Sequence, residues 1–286
     1  MNTRKDFRFF ERLRVRWAEV DLQQIVFNGH YLMYFDTAVA GWWRALALPY
    51  QATMATLGGD FYVRKSTLEY LASARYDEII DVGVRTERIG NSSKLLTCAV
   101  FRGDELLVQG ELVYVFVNPA TQTSQPVPQE LRDVLQAFDS GQAMVDVRVG
   151  AWGALGREAA AIRHQVFVEE QKIPLELEMD AADATGVHAV ATNRLGLPLA
   201  TGRLLEHAPG ISKIGRMAVL APMRGSRVGR AVLDALTQAA IERGDRQLLL
   251  HAQSTAAAFY ARAGFLAQGA AFEEAGIPHQ AMLKTL

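Results

Sequence analysis

The stretch "EVDLQQIVFNGHYLMYFD", residues 19–36, sets an aspartate and a short polar turn directly ahead of a long aromatic run. From His30 to Ala47 the apolar residues Leu32, Phe35, Val39, Trp42, Trp43 and Leu46 recur at spacings of three and four, which predicts a helix buried along one side. A solvated turn before a helix needs only one Ser, Asp or Asn as a cap. Asp21, Asn28, Gly29 and His30 all crowd this helix mouth, and the surplus points to chemistry.

Residues 7–17 lean toward strand, and four strand-like runs follow the helix: FYVRKSTLEYL, EIIDVGVRTERIG, SKLLTCAVFRG and ELLVQGELVYVFVN. Gly90-Asn91 and Gly103-Asp104 punctuate them as hairpin turns. One long helix followed by an antiparallel meander predicts an α+β layout with the sheet wrapped around the helix. Pro126 and Pro128 end the last strand, and PQELRDVLQAF reads as a short amphipathic helix. The small, polar DSGQA, residues 139–143, is the expected linker between a domain at 1–138 and a second at 144–286.

The second half has another rhythm. Leu155, Ala159, Ile162 and Val166 describe a helix, and strands are expected at HAVATN, PLATGRLLE and SKIGRMAVLA. RVGRAVLDALTQAAIERG reads as a second helix stopped by Gly244, then comes a short buried strand, QLLLHA, and a third helix at STAAAFYARAG.

Composition narrows the function. A chain of 286 residues, 50% apolar and 21% charged, has material for two packed cores and none of the signature of disorder. A net charge of −1 argues against a dedicated nucleic-acid binder. The lone Cys98 admits no intramolecular disulfide and is expected in the core. The N-terminal residues lack the apolar region of a signal peptide, and no run approaches the ~18 apolar residues of a membrane span. The six histidines have no metal-ligand spacing. The expectation is a cytoplasmic, metal-free protein with no membrane or nucleic-acid partner.

RVRWAEVDLQQIVFNGHYLMYFDTA resembles the active-site segment of hotdog-fold acyl-CoA thioesterases of the 4-hydroxybenzoyl-CoA type, and the similarity extends over residues 7 to about 135. Their pattern is carried by Asp21, Ile25–Val26, Asn28 and Tyr31. The resemblance implies that Asp21 attacks the thioester or activates water. It also implies that amides near Asn28 and Gly29 polarise the acyl carbonyl, as unpaired N–H groups at a helix start can. Gln24 departs from the small residue usual at its position, and His30 receives no role.

GRMAVLAPMRGSRVGRAVL and AQSTAAAFYARAGF resemble the GNAT acyltransferases, with IRHQVFVEEQKIPLELEMDAAD most like their ElaA-like branch. That resemblance implies CoA contacts at Met217, Val219, Arg224, Gly225, Ser226, Arg227, Val228, Gly229 and Arg230, and Tyr260 as the acid that protonates the departing thiolate. Arg227 stands where the family commonly has glycine. Glu178, Asp180 and Asp183 either attract an amine acceptor or form a solvated loop, and His188 is a weaker candidate base.

Taken together, the resemblances imply a bifunctional CoA-thioester enzyme with no tightly bound cofactor. Acyl-CoA and acetyl-CoA would be substrates, an amine the acceptor, and the hotdog domain the seat of a homodimer or tetramer. The alternatives are an acyl-CoA sensor with one inactive domain and a second half like acyl-homoserine-lactone synthases.

Overall fold

The computed structural model describes residues 1–286, which form two compact units, Met1–Met144 and Val145–Leu286. No helix is long and apolar enough to cross a membrane.

The first unit runs β1 (Phe9–Arg14), α1 (Asn28–Ala45), α2 (Tyr50–Leu57), β2 (Asp60–Tyr70), β3 (Ile79–Ile89), β4 (Ser93–Arg102), β5 (Glu105–Asn118), β6 (Thr123–Ser124) and α3 (Gln129–Asp139). Its sheet is antiparallel in the order β1-β3-β4-β5-β2, with β6 paired to β5. The helix α1 lies in the curl of this sheet, burying Tyr31, Tyr34, Phe35, Ala38, Val39, Trp42 and Trp43. A Cβ at Gly110 of β5 would sit 2.8 Å from the Phe35 ring and 2.3 Å from the Thr67 carbonyl oxygen. Glycine there lets helix and sheet approach. The expected stripe holds except at Leu32, which is 40% exposed because Tyr31 and Tyr34 take the inward face of that first turn. Cys98 is a buried free thiol, and burial pushes its pKa up. This is the expected hotdog arrangement.

One core residue is unexpected. Lys94 of β4 is 1% exposed, and its Nζ has no hydrogen-bond partner. It lies 4.0 Å from the Phe61 ring centroid, 4.2 Å from Trp43, 5.1 Å from Tyr114 and 5.2 Å from Trp42. Aromatic faces attract an ammonium by ~2 kcal/mol when desolvated, but burial wins and holds the amine well below its ordinary pKa of 10.5. Above that value folded and unfolded chains are both neutral. As pH falls below it, only the unfolded chain takes up the proton, so stability declines toward neutrality. Lys94→Met is expected to stabilise the first unit at pH 7 by about 1–4 kcal/mol. Its stability should also become flatter between pH 7 and 10, as read by urea titrations at several pH values.

The second unit runs β7 (Val145–Ala151), α4 (Trp152–Arg163), a π-helical turn at His164–Glu170, α5 (Leu175–Glu178), β8 (Val187–Asn193), β9 (Pro198–Ala208), β10 (Ile211–Val219), α6 (Val228–Arg243), β11 (Gln247–Gln253), α7 (Ala257–Ala261), β12 (Leu266–Glu274) and β13 (Ile277–Thr285). The sheet order is β12-β13-β11-β10-β9-β8-β7, with β10 and β11 parallel and the other pairs antiparallel. Leu155, Ala159, Ile162 and Val166 are buried as their spacing predicts, and Gly244 ends α6 in the left-handed conformation. The third helix is shorter than expected. A 3₁₀ turn at Ser254–Ala256 precedes α7, and Gly264 at φ 90° prevents its extension.

Candidate functional sites

In the first unit the segment ahead of α1 is folded back on itself. Val20 and Val26 form an isolated antiparallel bridge. The Asp21 N–H donates to the Ile25 carbonyl at 2.9 Å, and the Phe27 N–H donates to the Glu19 carbonyl at 2.9 Å. Residues 21–25 thereby become a tight loop on a strand pair that leads into the helix. Gln24 sits at φ 61° in this loop. The turn demands a left-handed residue, which explains why glycine or a small residue suits the position. Asp21 is half-buried, and its Oδ1 accepts the Gln23 N–H at 2.8 Å, whereas no ion pair engages the carboxylate.

The helix opens without a side-chain cap. Phe27 is its N-cap, and Asn28 and Gly29 are its first helical residues, so Asn28 does not serve as the cap. Around this mouth, the Tyr31 hydroxyl accepts the Ala74 N–H at 2.9 Å, and the Tyr70 hydroxyl donates to the Asn28 carbonyl at 3.3 Å. His30 Nδ1 lies 3.3 Å from Met33 Sδ.

Sequence reasoning missed Glu19. It is 3% exposed, and its carboxylate accepts from the Tyr34 hydroxyl at 2.7 Å and from the Arg16 N–H at 2.7 Å. Burial alone would raise its pKa, but those bonds and the Arg16 charge outweigh it and hold the group below the usual carboxylate range. Burial and the Glu19 contact push the Tyr34 hydroxyl up. Glu19 is a pin for the Asp21 segment. Nothing in local periodicity marks it, because its partner lies a loop and a helical turn away.

In the second unit β10 and β11 pair only from Ile211–Ile214 against Gln247–Leu250. Beyond Ile214 the register of β10 breaks between Gly215 and Ala218, with Arg216 at φ 51°. The strands part there. The opening is a cavity of about 460 Å³ whose wall includes Met217, Gln253, His251, Glu274 and Tyr260. Tyr260 is 8% exposed, and burial pushes its pKa up to about 12, so the hydroxyl keeps its proton at neutral pH. Val219 does not line the cavity. It packs under α6, where a Cβ on Gly229 would meet its Cγ2 at 3.0 Å.

The loop before α6 places Gly225 at φ 84° and Arg227 at φ 68°, and α6 begins at Val228 with no side-chain cap. N–H groups that open a helix without a cap can hold an anion. The Ser226 hydroxyl is turned away to the Met223 carbonyl. Arg224 makes a two-point pair with Glu170 at 2.7 Å and also donates to the Val219 carbonyl at 3.2 Å, while Arg230 pairs with Asp234 at 2.8 Å. Arg227 is exposed and has no acidic partner. Its left-handed backbone costs roughly 1–2 kcal/mol relative to glycine. Arg227→Gly is expected to raise the second unit's stability by about 1 kcal/mol while weakening binding of CoA. Thermal melts and calorimetry on the same preparation check both halves of that statement.

The acidic group is engaged in ion pairs. Arg163, 1% exposed, donates to Glu178 and at 2.7 Å to Asp183; Arg203 donates to Asp180 at 2.6 Å and Asp183 at 2.7 Å; Arg216 donates to Asp180 at 3.0 Å. Three arginines neutralise three carboxylates, so this group holds α5 and the bulged β10 together and leaves no free charge for an amine. His188 is buried against the Trp152 ring at 4.9 Å, with Nε2 bonded to the Asp183 carbonyl at 3.0 Å, and burial lowers its pKa. It lies outside the cavity wall.

Known proteins match the two halves of the chain separately. Residues 23–109 match the family model "Thioesterase superfamily", and residues 163–286 match "Acetyltransferase (GNAT) domain". The chain is 34% identical over 129 residues to the "Uncharacterized N-acetyltransferase YjcF" of Bacillus subtilis strain 168, covering 45% of this chain and 91% of that protein. It is 26% identical over 120 residues to "Acyl-CoA thioester hydrolase YbgC" of Escherichia coli O157:H7, covering 42% of this chain and 89% of that one. A crystal structure of a thioesterase from Thermus thermophilus, complexed with coenzyme A and Zn, aligns with a TM-score of 0.43 at 22% identity over 49% of this chain and 99% of that one. The chain thus belongs to the GNAT acetyltransferases through its second half, and its first half is similar to the thioesterase superfamily.

Proposed function

We propose that the chain is a bifunctional enzyme of CoA thioesters, hydrolysing acyl-CoA in the first unit and transferring an acyl group, acetyl in the simplest case, to an amine in the second. The observation that carries it is the opening between β10 and β11. A strand bulge, a cavity and a protonated tyrosine meet there, each suited to one part of an acyl-CoA; Arg224–Arg230 lie outside the cavity wall, on the uncapped start of the helix that follows β10. The α6 amides would hold the pyrophosphate, with Arg227 as the unpaired guanidinium nearest to them in sequence. The thioester would enter along Met217, and the Tyr260 hydroxyl would give its proton to the departing sulfur.

In the first unit, Asp21 would supply the carboxylate, and the amides of Asn28 and Gly29 would face the oxyanion. The E. coli relative named as an acyl-CoA thioester hydrolase supports this reading. A second copy is expected along β2, an edge strand that exposes Tyr62, Val63 and Tyr70. The test is free-CoA release from a panel of acyl-CoA thioesters, with and without a pool of primary amines. Free acid is expected when the amines are left out, and N-acyl amine in addition when they are present. Binding without turnover in either arm would make the chain an acyl-CoA sensor instead.

A further inference from the structure

Along β11, Leu248, Leu250 and Ala252 face the core, so His251 and Gln253 face the cavity. His251 Nδ1 lies 2.9 Å from Glu274 Oε2 and 3.3 Å from Lys213 Nζ, with the Phe272 ring 4.9 Å away edge-on. A carboxylate only accepts, so the shorter contact places the imidazole proton on Nδ1 and leaves the Nε2 lone pair free. Nε2 bonds to no protein group. Burial raises the pKa of Glu274, but the His251 bond and the nearby Lys213 charge outweigh it, so the carboxylate is ionised at neutral pH. Of the other titratable groups on the wall, three are held in ion pairs. Glu178 is held by Arg163, and Arg203 and Arg216 are held by Asp180. His279 Nδ1 is bonded to the Ile277 carbonyl at 2.7 Å and to no carboxylate, so His251 is the imidazole of this wall with an acidic partner. The Tyr260 hydroxyl is an acid here.

Building on the transferase reading, we infer that His251 is the general base for the acceptor amine and that Glu274 is its positioning residue. Nε2 takes one proton from the substrate ammonium. The freed nitrogen lone pair forms the N–C bond to the acyl carbon, and the carbonyl electrons move to oxygen. When that intermediate collapses the C–S bond breaks, and the sulfur leaves with its electron pair and takes the Tyr260 proton. The second proton of the nitrogen replaces the one Tyr260 gave, and His251 returns its own to water. The products are the N-acyl amine, CoA and one proton. Because base and acid both stand in the wall of one cavity, a small primary amine at high concentration is sufficient as acceptor.

The experiment uses the full chain, acetyl-CoA and two probe amines, n-butylamine and hydroxylamine, with the N-acetyl products measured by mass spectrometry so that thioester hydrolysis does not interfere. Butylamine is protonated at neutral pH and needs a base, whereas hydroxylamine is already neutral. His251→Gln is expected to lower transfer to butylamine by about 10²-fold or more and to change transfer to hydroxylamine only a few-fold. Acetyl-CoA binding and the thermal melt should be retained, which separates loss of the base from misfolding. Glu274→Gln keeps an oxygen that can accept the Nδ1–H bond but removes the charge, so it should lower kcat for butylamine several-fold while leaving the KM for acetyl-CoA and transfer to hydroxylamine nearly unchanged. The inference is overturned if His251→Gln lowers both amines equally or neither, or if wild-type protein binds acetyl-CoA yet acetylates neither. Failure to bind acetyl-CoA at all would instead remove the transferase reading on which it rests.

Discussion

Asp21→Asn is expected to abolish thioester hydrolysis. The loss should be at least about 10²-fold, the lower end for a positioned general base, and greater if the carboxylate is itself the nucleophile. The substitution isolates charge from structure. Asparagine retains the oxygen that accepts the Gln23 N–H, and the backbone bonds from Asp21 to Ile25 and from Gln24 to Asp21 are untouched. No ion pair depends on the carboxylate, and the loop is held by the buried Glu19 and its bonds to Tyr34 and Arg16. Folding should therefore be unchanged, and any effect is on the reaction. CoA release from the acyl-CoA panel is the readout. Near wild-type release would reduce Asp21 to a turn residue and remove the site.

Arg163→Met is expected to destabilise the second unit by about 3–5 kcal/mol, the cost of removing one partner from a buried ion pair. Methionine fills much of the volume and so limits the packing loss, which leaves electrostatics as the larger effect. Glu178 is 2% exposed, and burial already raises its pKa against the pull of Arg163. Removing Arg163 leaves Glu178 with Arg216 and Asp183 with Arg203. For Asp183, burial raises the pKa, but the Arg163 and Arg203 bonds outweigh it and keep the folded value below the ordinary one. A lowered carboxylate pKa stabilises the fold above the unfolded value and loses that contribution as pH falls through the folded one. The wild-type advantage from Asp183 should accordingly be present at pH 7 and shrink toward pH 3. Denaturant titrations of the two proteins at both pH values check this. A difference below about 1 kcal/mol at pH 7 would place the network with ordinary surface pairs.

Much of this architecture was legible in the sequence, for reasons that differ between its parts. The helix α1 declared itself by apolar spacing, and its crowded mouth by Asp21, Asn28, Gly29 and His30 gathered at one helix start. Gly244, a helix stop with φ 89°, followed from the same rules. β12 escaped because all nine of its residues are exposed, so it has no alternation to read. Pairing over long range escaped as well. Arg163 with Glu178 and Asp183, Glu19 with Tyr34, and His251 with Glu274 are brought together by topology, and each looks locally like solvated charge. Lys94 is the extreme case, a lysine in an alternating strand that reads as surface and is enclosed by four aromatic rings. Gln24 and Arg227 were noticed only as departures from a family pattern. Their left-handed backbones show why that pattern favours glycine.

The proposed function requires two separate sites for CoA thioesters on one chain. Isothermal titration of the full chain with a non-hydrolysable acetyl-CoA analogue tests it most directly. Two molecules bound per chain, with only the second-unit site weakened by Arg227→Gly, is the predicted result. One molecule or none per chain would contradict it.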